Sequence, residues 1–89
     1  MSVCTHTGFV EIDRPTVAER EGAVCPACVA AGTRWVHLRQ CLTCGFVGCC
    51  DESPMRHARG HAADAGHPVI CSYQPDEEWA YCFVDDAEL

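Results

Sequence analysis

Residues 25–67 read CPACVAAGTRWVHLRQCLTCGFVGCCDESPMRHARGHAADAGH, and their spacing decides what kind of fold the chain adopts. Two residues separate Cys25 from Cys28, and two separate Cys41 from Cys44; Cys49 and Cys50 follow, and then His57, His61 and His67. A gap of two lets both thiolates of one turn reach a single ion while backbone N–H groups of the turn point at sulfur. Two such knuckles followed by spaced histidines read as metal ligands, not as scattered buried cysteines.

The rest of the chain supports a metal-built domain. There are 9 Cys and 5 His in 89 residues. A chain this short buries only about 60–65% of its unfolded surface, so a covalent or metal staple is expected. Disulfides are the alternative staple, but an odd cysteine count and accompanying imidazoles favour zinc. The amino terminus shows no basic segment followed by an apolar run, and no stretch approaches the ~18 apolar residues of a membrane span, so the expected compartment is the cytoplasm. Six Arg, no Lys and 13 acidic residues give a formal charge of −7. That charge repels phosphate backbones and argues against nucleic acid as a partner.

The chain reads as one domain, residues 1–89 with a core of about 4–85. Residues 8–12 form a short candidate strand, and 13–24 an exposed charged connection. Thr33 to Gln40 alternates with β-branched and aromatic residues and suits a strand. Ser53 is placed to cap a helix, Pro54 fits its first position, and Gly66 with Pro68 ends it, which predicts a helix over about 54–65. His57 and His61 then project from one helical face at i and i+4. His37 reads as structural or superficial. The segments 76–78 and 85–88 read as solvated acid, and Arg56 and Arg59 as cover for the helix's exposed face.

Spacing alone leaves the ligand sets open. One arrangement is sequential, with Cys25, Cys28, Cys41 and Cys44 on one ion and Cys49 with the histidines on another; the other is interleaved. The run from Cys4-x-His6 through both knuckles, the C-G-F-V-G-C segment, the H-x3-H pair, Gly-His-Pro and the later Trp79 resembles the UBP-type zinc finger, the ubiquitin-binding module of ubiquitin-specific proteases and a histone deacetylase. The resemblance implies an interleaved pair: Cys25, Cys28, Cys49 and His57 as one site, Cys41, Cys44, His61 and His67 as a second. It also implies a third, built on Cys4 and His6. Where the family has two carboxyl-terminal cysteines, this chain has only Cys82, so Cys50 is the expected fourth ligand, ahead of Cys71. Three zinc ions are expected, with two as the minimum.

The implied fold is small α+β, a short antiparallel sheet around Val36, Val69 and Phe83 crossed by one main helix. The implied function is a non-catalytic protein-interaction module that takes a free carboxyl-terminal peptide tail, with Trp79, Tyr81 and Trp35 as candidate pocket residues. The family's carboxylate-binding Arg is replaced here by Asp51, which counts against a ubiquitin-like Gly-Gly tail unless Arg34, Arg39, Arg56 or Arg59 substitutes. A small metalloenzyme or thiol protein using an open Cys4/His6/Cys82 site is the alternative, but spacing places no general base beside it.

Overall fold

The computed structural model describes residues 7–88. Five short antiparallel strands form one sheet: β1 (Leu38–Cys41), β2 (Val47–Cys49), β3 (Val69–Ser72), β4 (Ala80–Cys82) and β5 (Ala87–Glu88), in the order β2-β1-β3-β4-β5. Three helices accompany them, α1 (Val17–Arg20), α2 (Pro26–Ala31) and α3 (His57–Ala65). This is the small α+β architecture that the sequence implies. No helix among the described residues is long and apolar enough to cross a membrane.

Register decides which residues share a face. Arg39 pairs with Gly48 on one side and Ser72 on the other, while Ile70 pairs with Tyr81. Because side chains alternate along a strand, Arg39, Cys41, Ile70 and Tyr81 share one face and Leu38, Val69, Cys71, Ala80 and Cys82 the other. Helix α3 lies on the first face against β1 and β2. It can approach because Gly48 has no side chain: a Cβ there would stand 2.7 Å from the Ala58 backbone nitrogen. On the second face, Leu42, Val69, Cys71 and Ala80 form an apolar cluster that Ile12 covers.

Several local expectations change. Residues 8–12 are not a strand: a 3-10 turn at Thr7–Phe9 is followed by Glu11 and Ile12, whose N–H groups both donate to the Leu42 carbonyl. The strand expected over Thr33–Gln40 begins only at Leu38, because the Val36 N–H donates to the Ser53 hydroxyl instead of a neighbouring strand. That bond also takes Ser53 away from its expected capping role. Helix α3 therefore starts at His57, with Arg56 before it in the left-handed region at φ 48°. The connection over 13–24 contains α1, closed by a capping box in which Thr16 and Glu19 exchange hydrogen bonds. Its Arg20 is buried, donating to the carbonyls of Thr16, Gln74 and Glu77 and pairing with Glu78. The segment 76–78 is thus tied to the body, with Glu77 also accepting the Ser72 hydroxyl at 2.6 Å.

Candidate metal centres and an adjoining cavity

The first cluster is assembled from three elements. Cys25 stands at the N-cap of α2, where Pro26 supplies the fixed φ of a first helical turn, and Cys28 lies one turn on. Cys49 ends β2, and His57 opens α3 with its backbone N–H donating to Cys49 Sγ at 3.1 Å. His57 Nδ1 is 3.4 Å from Cys25 Sγ, 3.3 Å from Cys28 Sγ and 3.5 Å from Cys49 Sγ, and Cys28 and Cys49 sulfurs are 3.8 Å apart. Tetrahedral zinc with ordinary bond lengths sets S···N near roughly 3.5 Å and S···S near roughly 3.8 Å. The donor set fits that ion, and all three cysteines are fully buried.

The second cluster braces the β1–β2 turn to α3. Gly45 takes φ 85°, which lets its N–H reach the Cys41 carbonyl at 2.9 Å in the turn that brings Cys41 and Cys44 into one cluster. Cys44 Sγ lies 3.3 Å from His61 Nε2, and Cys41 Sγ 3.6 Å from His67 Nδ1. Phe46 stacks on the His61 ring at 4.2 Å. Gly66 ends α3 in the left-handed conformation, and the His67 N–H bonds back to the Ala62 carbonyl. Burial pushes the Cys41 thiol up, and burial with the charge of His67 pushes His61 down toward the neutral imidazole that a metal takes. In each cluster the four donor atoms lie within 4.8 Å of one another. The structure thus groups these eight residues in the interleaved order, not the sequential one.

The third expected set is not assembled. Cys4 and His6 lie outside the described residues. Cys50 follows β2 and Cys82 sits in β4, with β1 and β3 between them. Three strand spacings amount to roughly 14 Å, whereas ligands of one zinc ion stand about 4 Å apart. Cys50 also faces the α3 side and Cys82 the other. The expectation that Cys50 completes a site with Cys82 is therefore corrected. Cys71, the residue set behind it, stands on the face of Cys82 in the adjacent strand, opposite Ala80.

Cys50 instead borders a cavity of about 290 Å³ between α3 and the sheet. Burial raises its thiol, but hydrogen bonding from Ser53, backbone groups of His37 and Glu52, and the charge of Arg39 bring it below its ordinary value overall. Trp79 and Tyr81 line the cavity, as does Phe83, which was expected in the sheet but lies one residue past β4. Trp35 does not: it packs against the cluster of Cys25, Cys28, Leu38 and Cys49, so its place in the pocket is corrected. The late start of β1 leaves it outside the sheet face that Trp79 occupies.

Two guanidinium groups border the cavity in different states. Arg59, on α3, grips Asp51 through three contacts of 2.6–3.0 Å and lies 4.5 Å above the Phe83 ring. Those bonds from Arg59 hold the Asp51 carboxyl below its usual value. Asp51 is thus ion-paired within the protein, and Arg59, half exposed on α3, covers the helix surface as expected and also borders the cavity. Arg39 lies 4.4 Å above the Trp79 ring.

Comparisons with known proteins agree with this construction. Residues 25–89 match the family model zf-UBP, described as a zinc finger in ubiquitin-hydrolases and other protein. Among solved structures, protein RPA1320 from Rhodopseudomonas palustris, determined by solution NMR, is 40% identical with a TM-score of 0.78; the match covers 100% of this chain and 82% of that one. No curated protein matches the chain. With two interleaved Cys/His clusters, a five-stranded sheet and a family match over most of its length, the chain belongs to the zf-UBP family of zinc fingers.

Proposed function

We propose that the chain is a zinc-built interaction module that takes the carboxyl-terminal tail of a partner protein into the cavity beside α3. The observation that carries this reading is the separation of the cavity from the metal clusters. Each cluster offers four protein donors, which fill a tetrahedral ion and leave it no position for a water or substrate. The cavity next to them has aromatic walls in Trp79 and Tyr81 and charged groups of both signs, a mixed lining suited to a polar chain end. A slot between a helix and a sheet favours a narrow, side-chain-poor strand such as a glycine tail. At least two zinc ions per chain are structural in this reading, and the formal charge of −7 disfavours nucleic acid.

The test uses a Trp35→Phe variant, which leaves Trp79 as the single tryptophan. A hexapeptide ending in a free Gly-Gly carboxylate is titrated against its amide, and emission is followed. Tail recognition requires a saturable change with the acid and a much weaker one with the amide. Equal responses remove the reading. Native mass spectrometry of the same sample counts the zinc ions, and fewer than two would contradict the structural role of the clusters.

A further inference from the structure

We propose that Arg39 receives the terminal carboxylate of the bound tail, in place of the position that Asp51 occupies. This rests on the tail reading above. The cavity has two cations to offer, and their partners distinguish them. Arg59 has committed its Nε and Nη2 edge to Asp51, so an incoming carboxylate would compete with one already seated. Arg39 is held through Nη1 alone, which donates to the Leu38 carbonyl at 2.9 Å and, at the longer 3.5 Å, to Glu77 Oε1. Its nearest carboxylate oxygen, on Glu77, stands 3.5 Å away and is itself taken by the Ser72 hydroxyl. Among the described residues, Arg39 Nε and Nη2 have no hydrogen-bond partner.

The setting makes that free edge effective. The Arg39 side chain is only 13% exposed, and its guanidinium carbon stands 4.4 Å above the Trp79 ring, so little rotamer freedom remains to be lost on binding. Its strand position, opposite Gly48 and Ser72, puts it on the α3 face with Tyr81. Donors in such a half-dry site bind an anion more strongly than donors in water, and a guanidinium edge matches a carboxylate with two parallel bonds. Glu52 and Glu88 also line the cavity, but both are exposed, and water screens them.

The experiment reads the arginine side chains directly. Uniformly ¹⁵N-labelled, zinc-loaded protein is titrated with N-acetyl-Gly-Gly and separately with its amide, following the Nε–H signals; the Arg39 signal is assigned by its loss in Arg39→Lys. The acid should shift the Arg39 signal and leave that of Arg59 nearly fixed, and the amide should shift neither. Affinities should favour the acid by about tenfold or more, the ratio expected for charge-assisted bonds. Arg39→Gln should bring that ratio to about one, while Arg34→Gln, at an exposed arginine outside the cavity, preserves it; unchanged zinc content and amide dispersion certify each fold. A ratio that survives in Arg39→Gln, or an acid-induced shift at Arg59 instead of Arg39, overturns the assignment and leaves tail reading intact. Equal binding of acid and amide by the parent protein overturns tail reading itself.

Discussion

The two clusters use similar donors but sit in different surroundings. Cys25, Cys28 and Cys49 are completely buried and pack with Leu38, Trp35 and Tyr73, so the first cluster doubles as hydrophobic core. In the second, Cys41 is buried but Cys44 is exposed and both histidines are half-buried. It joins the tip of the β1–β2 turn to the end of α3 at the surface. The difference separates two uses of one ion: the first makes a core out of too few apolar residues, and the second fixes the position of an element that the sheet already supports.

The comparison is broken most directly by removing one ligand from each cluster. Cys28→Ala should unfold the domain, because structural zinc contributes on the order of 10 kcal/mol, more than the net stability of a small domain. A collapsed amide spectrum is the expected result, and a dispersed one would mean the first cluster is not the core. Cys44→Ser should be milder, losing one zinc ion by native mass spectrometry. Its spectral changes should be confined to the β1–β2 turn and the last turn of α3. A chelator acting on the parent protein should extract the same ion first; simultaneous loss of both would erase the distinction.

Two smaller perturbations act where the clusters meet on α3. Gly48→Ala would place a methyl group 2.7 Å from the Ala58 nitrogen and 2.8 Å from the Phe46 ring, pushing α3 off β2. Overpacking of this kind costs about 1–3 kcal/mol, which corresponds to a fall in Tm of roughly 5–15 °C. Because α3 carries His57 and His61, zinc should be held more weakly at both clusters. Arg56→Gly should act in the opposite sense, raising stability by about 0.5–1 kcal/mol by relieving a left-handed φ of 48° beside His57. A rise in Tm with unchanged zinc content is the expected outcome, and a fall would show that Arg56 contributes more than its backbone costs.

Metal chemistry was the most legible part of the sequence because ligand type and spacing are constrained by the ion itself. The eight cluster residues stand out from their order alone, although the choice between sequential and interleaved pairing needed the resemblance and then the geometry. Helix termini were less legible, since Ser53 suits an N-cap and also suits bonding to a distant strand, and only tertiary contact with Val36 decides between them. The Thr16–Glu19 capping box was present in the sequence but lay within a run of charge that suggested solvent. Little local could show that Arg20 is buried, because two of the three carbonyls it bonds and its carboxylate partner lie more than fifty residues away. The cavity divides the same way: Trp79 and Tyr81 were legible from resemblance, whereas Trp35 was misplaced by an early strand start.

Interleaving also sets a problem for synthesis. As the chain emerges from its amino end, Cys25, Cys28, Cys41 and Cys44 become available before His57, His61 and His67 exist. A zinc ion arriving at that moment meets four thiolates able to close a tetrahedron, a set that the finished fold never uses. Reaching the native arrangement then requires that ion to be surrendered by one knuckle and a second ion to be recruited. Neither native site can close before α3 is made, since each takes one of that helix's histidines.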